Sequence, residues 1–250
     1  MSNPQHFTTP QGREIAYHQT TGTEAGPGVV FLGGFKSDMQ GSKALYLQEW
    51  AEETGRAFLR FDYSGHGQSS GEFRDGSIGE WAEDAQAAVT TLTTGPQILV
   101  GSSMGGWISL LLAKRIPDQV AGLVGIAAAP DFTEDSMWNG MSSILQAKLM
   151  KDGVIYQPSE YDEPYPITKK LITDGRNHLV LREDLELPFP VRLLHGTADA
   201  DVHMDVALRL LEHASGDDIR LNFVKGADHR FSDARCLQLI RKSIHSILMA

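Results

Sequence analysis

One cysteine, Cys236, stands in a chain of 250 residues. No disulfide can close within it, which fits a reducing compartment. No run of 18 apolar residues occurs, so nothing reads as a membrane-spanning helix. Basic residues are in the minority, 22 Lys and Arg against 32 Asp and Glu, for a net charge of −10. Such a surface repels phosphate backbones, and no nucleic-acid partner is expected. The opening stretch MSNPQHFTT lacks a basic flank, an apolar core and an arginine-rich amphipathic pattern. No targeting segment is read there, and a cytosolic location is expected. Internal repeats and low-complexity tracts are also missing. What remains is 41% hydrophobic and 22% charged, an ordinary globular composition long enough for one well-packed domain, 1–250.

Within it, short apolar runs alternate with helical patterns. The runs are Val29–Leu32, Ala57–Phe61, Ile98–Val100, Val120–Ala127, Val191–Leu194 and Ile219–Val224. They read as strands buried on both faces, as in a parallel sheet. Between them Ile78, Trp81, Ala82, Ala85, Ala88, Val89 and Leu92 form one helical stripe, with Ser77 and Glu80 spaced as a capping box. Shorter stripes are Leu47, Trp50 and Ala51, then Ala207, Leu210, Leu211 and Ala214, and last Leu237, Ile240, Ile244, Ile247 and Leu248. This predicts a mostly parallel, doubly wound α/β sheet, with Glu14–Gln19 in an edge hairpin. Residues 131–187 break the rhythm. Met137, Trp138, Met141, Ile144, Leu145 and Leu149 are followed by Tyr156, Tyr161 and Tyr165, with no buried-strand run. Helix plus irregular loop between two core strands reads as an inserted lid, since ligands of α/β sheets bind beyond the carboxyl ends of the strands.

The most informative stretch is Ile98–Trp107. It carries G-x-S-x-G at Gly101–Gly105, between an apolar strand and a helix-forming run. Ser103 is then a nucleophile on a sharp strand-to-helix turn, whose strained backbone requires neighbours without side chains. Ser102 is off the glycine spacing. A serine nucleophile needs a base, and the base an orienting acid, in the chain order Ser, Asp or Glu, His. Asp199 follows the strand Val191–Leu194, with Asp201 as its competitor or as a helix cap. His229 follows the last strand, and His195 is its rival but precedes the acid. His195, Asp199, Asp201 and His203 match no recognised zinc spacing, so no metal is expected. Gly33-Gly34 ends the strand Val29–Leu32, so the N–H groups of Phe35 and Met104 are the candidate oxyanion donors. Asp62–Ser69, with His66 inside it, reads as a tight structural turn.

LGGF at 32–35, D-x-x-G-x-G-x-S at 62–69, GSSMGG at 101–106, HGTADADV at 195–202 and GADHRF at 226–231 together resemble the α/β-hydrolase superfamily over nearly the whole chain. Many members carry His-Gly where this chain has Gly33-Gly34, which leaves the Phe35 donor in place. DYSGHGQSSGEF followed by GSSMGGW is similar to the group of palmitoyl-protein thioesterases and mycophenolic-acid acyl-glucuronide esterases. The resemblance implies an α/β-hydrolase fold and a serine hydrolase without cofactor. It would cleave small acyl esters or thioesters, or S-acylated proteins, through an acyl-enzyme. A C–C bond hydrolase or a peptidase on the same fold is the alternative, and a silent ligand receptor a remote one. The animal members of the group carry a mitochondrial presequence. None is visible here, which again suggests the cytosol.

Overall fold

Leucine- and β-branched runs separated by amphipathic stretches build an alternating chain. The computed structural model describes residues 3–157 and 164–250. Its strands are β1 (Gln5–Thr8), β2 (Glu14–Thr20), β3 (Gly28–Leu32), β4 (Phe58–Phe61), β5 (Gln97–Ser102), β6 (Val120–Ile126), β7 (Val154–Gln157), β8 (Tyr165–Thr168), β9 (Leu185–Glu186), β10 (Val191–Gly196), β11 (Ala214–Ser215) and β12 (Ile219–Val224). Its α-helices are α1 (Ser42–Thr54), α2 (Ile78–Leu92), α3 (Met104–Arg115), α4 (Ser143–Asp152), α5 (Lys169–Gly175), α6 (Met204–His213) and α7 (Ala234–Leu248).

Eight strands form one sheet in the order β1-β2-β4-β3-β5-β6-β10-β12. β2 pairs antiparallel with β1 and with β4, as the edge hairpin predicts. From β4 to β12 every pairing is parallel. Successive residues of a strand face opposite sides, and the core divides accordingly. Val29, Phe31, Ile98, Val100 and Leu194 meet Leu47 and Trp50 of α1 and Ile240, Ile244 and Ile247 of α7. Val30, Leu32, Leu99 and Leu193 meet Ile78 and Trp81 of α2, Ile108 of α3 and Leu210 of α6. Burying each such aliphatic side chain stabilises the fold by about 1.5–3 kcal/mol. Cys236 is buried in α7, and its thiol is pushed up to about 11, mainly by burial.

The capping box at α2 does not form. Ser77 Oγ donates to Glu80 Oε2 at 3.2 Å, and the Gly79 N–H is taken instead by Asp174 Oδ2 at 2.7 Å. A carboxylate from α5 has displaced the local cap. Asp201 does not cap α6 either; His203 does.

Residues 131–187 leave the sheet after β6. Beyond a short π-helical turn (Thr133–Trp138) and α4, they contain an antiparallel β7–β8 hairpin that was not expected. Four-residue strands that pair only with each other are too short to show a period. Tyr161 lies outside the described residues. Met141 and Leu149 pack on Ile155, Ile167 and Ile172, whereas Ile144 and Leu145 are exposed. Both ends of the segment converge on Asp131. This fully buried residue accepts the N–H groups of Val180 at 2.8 Å and Leu181 at 3.0 Å, and pairs with Arg182 at 2.9 Å. Asp131→Ala would leave two buried N–H donors unpaired and strip Arg182 of one of its two carboxylate partners, Asp135 being the other. A loss of about 2–4 kcal/mol is expected, read as a lowered urea midpoint; an unchanged midpoint would show that Asp131 does not hold the segment.

Candidate active site

Ser103 sits between β5 and α3 at φ 54, ψ −116, a conformation that L-residues avoid. Side chains are excluded at both flanking glycines, at Gly105 by the end of β3 and at Gly101 by the turn's own backbone. A Cβ on Gly105 would lie 2.1 Å from the Leu32 carbonyl oxygen, and one on Gly101 2.3 Å from that of Gly105. Neighbouring backbone locks the turn. The Ser103 N–H donates to Ile126 O at 2.9 Å, and its carbonyl accepts from Gly106 and Ala129. The hydroxyl therefore stands at the N-terminus of α3, where the helix dipole favours negative charge.

Two loops at the far edge bring the other candidates in. Ala198 N–H donates to Ala227 O at 3.0 Å, Thr197 N–H to Val224 O at 3.0 Å and Gly226 N–H to Thr197 Oγ1 at 2.9 Å. This clasp holds the turn after β10 against the turn after β12. His229 Nδ1 lies 2.8 Å from Asp199 Oδ2, and His229 Nε2 lies 3.2 Å from Ser103 Oγ. The Asp199 carboxyl is fully buried. Burial pushes its pKa up, but His229 and the N–H groups of Val202 and Asp201 outweigh this and hold it below the ordinary range. A carboxylate only accepts, so His229 Nδ1–H donates to it. Nε2 is left bare to accept from the Ser103 hydroxyl.

The rivals fall elsewhere. His195 is buried, donates from Nε2 to Val202 O at 2.9 Å, and has its pKa lowered chiefly by burial. Asp201 is exposed and gives its N–H to Asp199 Oδ1 at 2.9 Å. Of the four residues weighed as metal ligands, only Asp199 and Asp201 come together with His229, within 4.8 Å. There His229 Nδ1 and Asp199 Oδ2 already satisfy each other.

Gly34 brings the loop after β3 beside the serine, since a Cβ there would lie 3.5 Å from Ser103 Cβ. Among the described residues no hydrogen bond takes up the N–H of Phe35 or of Met104. The Phe35 ring meets Phe73, Trp81, Phe132 and Tyr165 edge-on, with centroids 4.8–6.0 Å apart. The turn at 62–69 is structural, as expected. Asp62 accepts the N–H groups of Met39 at 2.6 Å and Gln68 at 2.9 Å. A Cβ on Gly67 would lie 2.1 Å from the Asp62 carboxylate. The sequence reading missed two groups that bear on the loop after β3. One is Ser37, which no motif marks; the other is His66, signalled only by its place in G-H-G.

Residues 27–174 match the model of the serine aminopeptidase S33 family. The chain belongs to that hydrolase family. It is similar to the mitochondrial palmitoyl-protein thioesterase ABHD10 of Bos taurus, at 33% identity over 97% of this chain and 79% of that protein. The solved structure of α/β-hydrolase domain-containing protein 10 from mouse superposes with a TM-score of 0.90, at 30% identity over 99% of each chain. A solved chain from Agrobacterium vitis S4 superposes at 0.94, with 39% identity over 98% of each. The fold is thus the α/β-hydrolase fold, and the chain is a member of the ABHD10 group. The name of the bovine relative assigns it to mitochondria, which overturns the expectation of a cytosolic location. Composition describes the folded body, whereas an address is read by receptors and leaves no mark on packing. Among the described residues no helix is long and apolar enough to cross a membrane.

Gly105→Ala should cost about 1–3 kcal/mol by overpacking and remove most activity, checked by thermal melting and ester turnover. A fully active, equally stable variant would refute the close approach to β3. Asp199→Asn tests the acid's charge. A carboxyl with a depressed folded pKa stabilises the fold above its ordinary pKa and loses that contribution as pH falls through the depressed value. The stability gap between wild type and Asp199→Asn should therefore be widest near neutrality and shrink below about pH 4; a gap that stays constant with pH would contradict a carboxylate held charged by its hydrogen bonds.

Proposed function

We propose that this serine hydrolase, which acts on ester or thioester bonds, does so with Ser103 as nucleophile, His229 as base and Asp199 as orienting acid. The observation that carries the reading is the unbroken series from the Ser103 hydroxyl through the His229 imidazole to the buried Asp199 carboxylate. His229 takes the Ser103 proton as the oxygen attacks the acyl carbon. Asp199 holds the tautomer and stabilises the imidazolium. The N–H groups of Phe35 and Met104 receive the oxyanion. The imidazolium then protonates the departing thiolate or alkoxide, leaving an acyl-enzyme. Water, deprotonated by His229, attacks the ester in turn, and the acid leaves as Ser103 recovers its proton. No metal or cofactor enters these steps.

The substrate reading is an acyl thioester, small or carried on a protein. Its support is the name of the bovine relative, a palmitoyl-protein thioesterase. It is also supported by the apolar cluster of residues 131–187, where Met137, Trp138, Met141 and Tyr165 extend the surface around Phe35. We read that segment as the lid over the acyl chain; methionine suits an irregular apolar ligand.

Ser103→Ala, Asp199→Asn and His229→Ala should each lower kcat/KM for p-nitrophenyl esters by about a thousandfold or more without loss of fold. A fluorophosphonate probe should label Ser103 alone. Full turnover by the Ser103 variant would sink the triad. Across a series of acyl thioesters, kcat/KM should rise by about fourfold per buried methylene until the apolar site is filled. Flat dependence on chain length, or faster turnover of amino-acid p-nitroanilides, would sink the acyl reading in favour of a peptidase.

A further inference from the structure

Two groups beside the loop after β3 take no part in the proton transfers above. Ser37 donates twice to the Gly34 carbonyl, from its N–H at 3.2 Å and from Oγ at 2.8 Å. In a trans peptide the carbonyl and the N–H point to opposite sides. With the Gly34 oxygen drawn towards Ser37, the N–H of Phe35, in the same peptide, is turned the other way. The next peptide is held from a different element. The Lys36 N–H donates to His66 Nε2 at 3.2 Å. Lys36 stands at φ 55, a left-handed conformation that costs a non-glycine residue about 1 kcal/mol or more. It persists because its surroundings hold it.

His66 is built to be an acceptor there. Its Nδ1–H donates to Ser64 O at 3.2 Å, which leaves Nε2 bare. Tyr63, Phe73 and Trp81 surround the ring edge-on, with centroids 5.0–5.5 Å away. Burial in that cage keeps the imidazole neutral by pushing its pKa down to about 4. Phe73 and Trp81 also hold the Phe35 ring. One aromatic cage thus fixes both the acceptor and the residue whose backbone it steadies.

We propose that His66 and Ser37 are positioning residues for the oxyanion donor, gripping the peptides on either side of Phe35 so that its N–H faces the oxygen developing at Ser103. This rests on the assignment of the Phe35 N–H to the oxyanion hole. Neither side chain touches substrate; each acts by sparing the loop a reorganisation in the transition state. Ground-state binding should therefore be largely untouched, and the effect should fall on kcat.

The test uses three variants of the full chain. His66→Phe fills the cage without an acceptor, His66→Gln restores one, and Ser37→Ala removes the hydroxyl donor. Each is assayed for kcat and KM on a p-nitrophenyl ester and for its preference for an alkyl trifluoromethyl ketone over the matching methyl ketone. The fluorinated ketone accepts Ser103 Oγ at its carbonyl carbon, the proton passes to His229, and the carbonyl pair becomes an oxyanion. For His66→Phe and Ser37→Ala, kcat should fall about tenfold to a hundredfold with KM within about twofold. Preference for the fluorinated ketone should fall by the same factor, and His66→Gln should recover both to within about threefold of wild type. Loss in His66→Phe without recovery in His66→Gln would make His66 a filler of the cage and overturn the proposal. So would unchanged kcat and ketone preference in both His66→Phe and Ser37→Ala, with the oxyanion assignment left standing. A wild-type protein with no preference for the fluorinated ketone would instead end the oxyanion assignment, and the proposal with it.

Discussion

The close passage of the turn at Ser103 beneath the end of β3 is the constraint on which the rest depends. Backbone meets backbone there with no room for a methyl group at Gly105, and the turn so folded leaves none at Gly101 against Gly105 itself. That contact lifts Ser103 out of the β-region and presents its side chain at the head of α3. It also brings the loop carrying Phe35 beside the serine. Non-glycine residues in left-handed conformation cluster around the same place. Lys36, Ser103, Ala127, Asp131 and Phe231 lie just beyond the carboxyl ends of β3, β5, β6 and β12. Parallel strands buried on both faces are rigid, so strain at their ends is held by the packed core.

Burial sorts the ionisable groups by what else reaches them. Asp199 and His195 are both withdrawn from water, four residues apart. Asp199 collects two backbone N–H groups and an imidazole and stays charged. His195 gains one carbonyl, and burial lowers its pKa. His66 is neutral in its aromatic cage, its pKa pushed down to about 4 by burial. His229, the imidazole within reach of Ser103, is partly open to solvent and joined to a carboxylate. A base must accept a positive charge within the reaction cycle; His229 holds the Asp199 carboxylate at 2.8 Å, whereas His195 stands 3.6 Å from it and gives its Nε2–H to a carbonyl, and His66 is enclosed by aromatic rings.

Phe35 joins the two halves of this picture. Its backbone belongs to the turn beside Ser103, while its ring packs both on Phe73 and Trp81 of the main body and on Phe132 and Tyr165 of the segment 131–187. Asp131 closes that segment onto itself at its base, and Asp174 ties it to α2. The apolar surface proposed for the acyl chain and the donor proposed for the oxyanion thus meet in one residue.

The six parallel strands and the main amphipathic helices were legible because period and composition are local properties; Ile219–Val224, expected to be buried on both faces, is instead the edge strand β12 with no buried residue, because nothing pairs beyond it among the described residues. Ser103 was legible because glycines two residues to either side record a close approach in the sequence itself. Asp199 and His229 were legible from their order after two strand ends. What could not be read were interactions whose partners are remote along the chain. Asp174 displaces Ser77 as the cap of α2 from nearly a hundred residues away. The β7–β8 hairpin is stabilised by Met141 and Leu149 and by its own pairing, more than by any pattern within its short strands. His66 looked like turn furniture until the fold set it against Lys36, 30 residues earlier. Sequence alone determined which groups stand at the ends of which strands. Only the tertiary structure decided which of them touch, because hydrogen bonds depend on distances of about 3 Å that the order of residues does not encode.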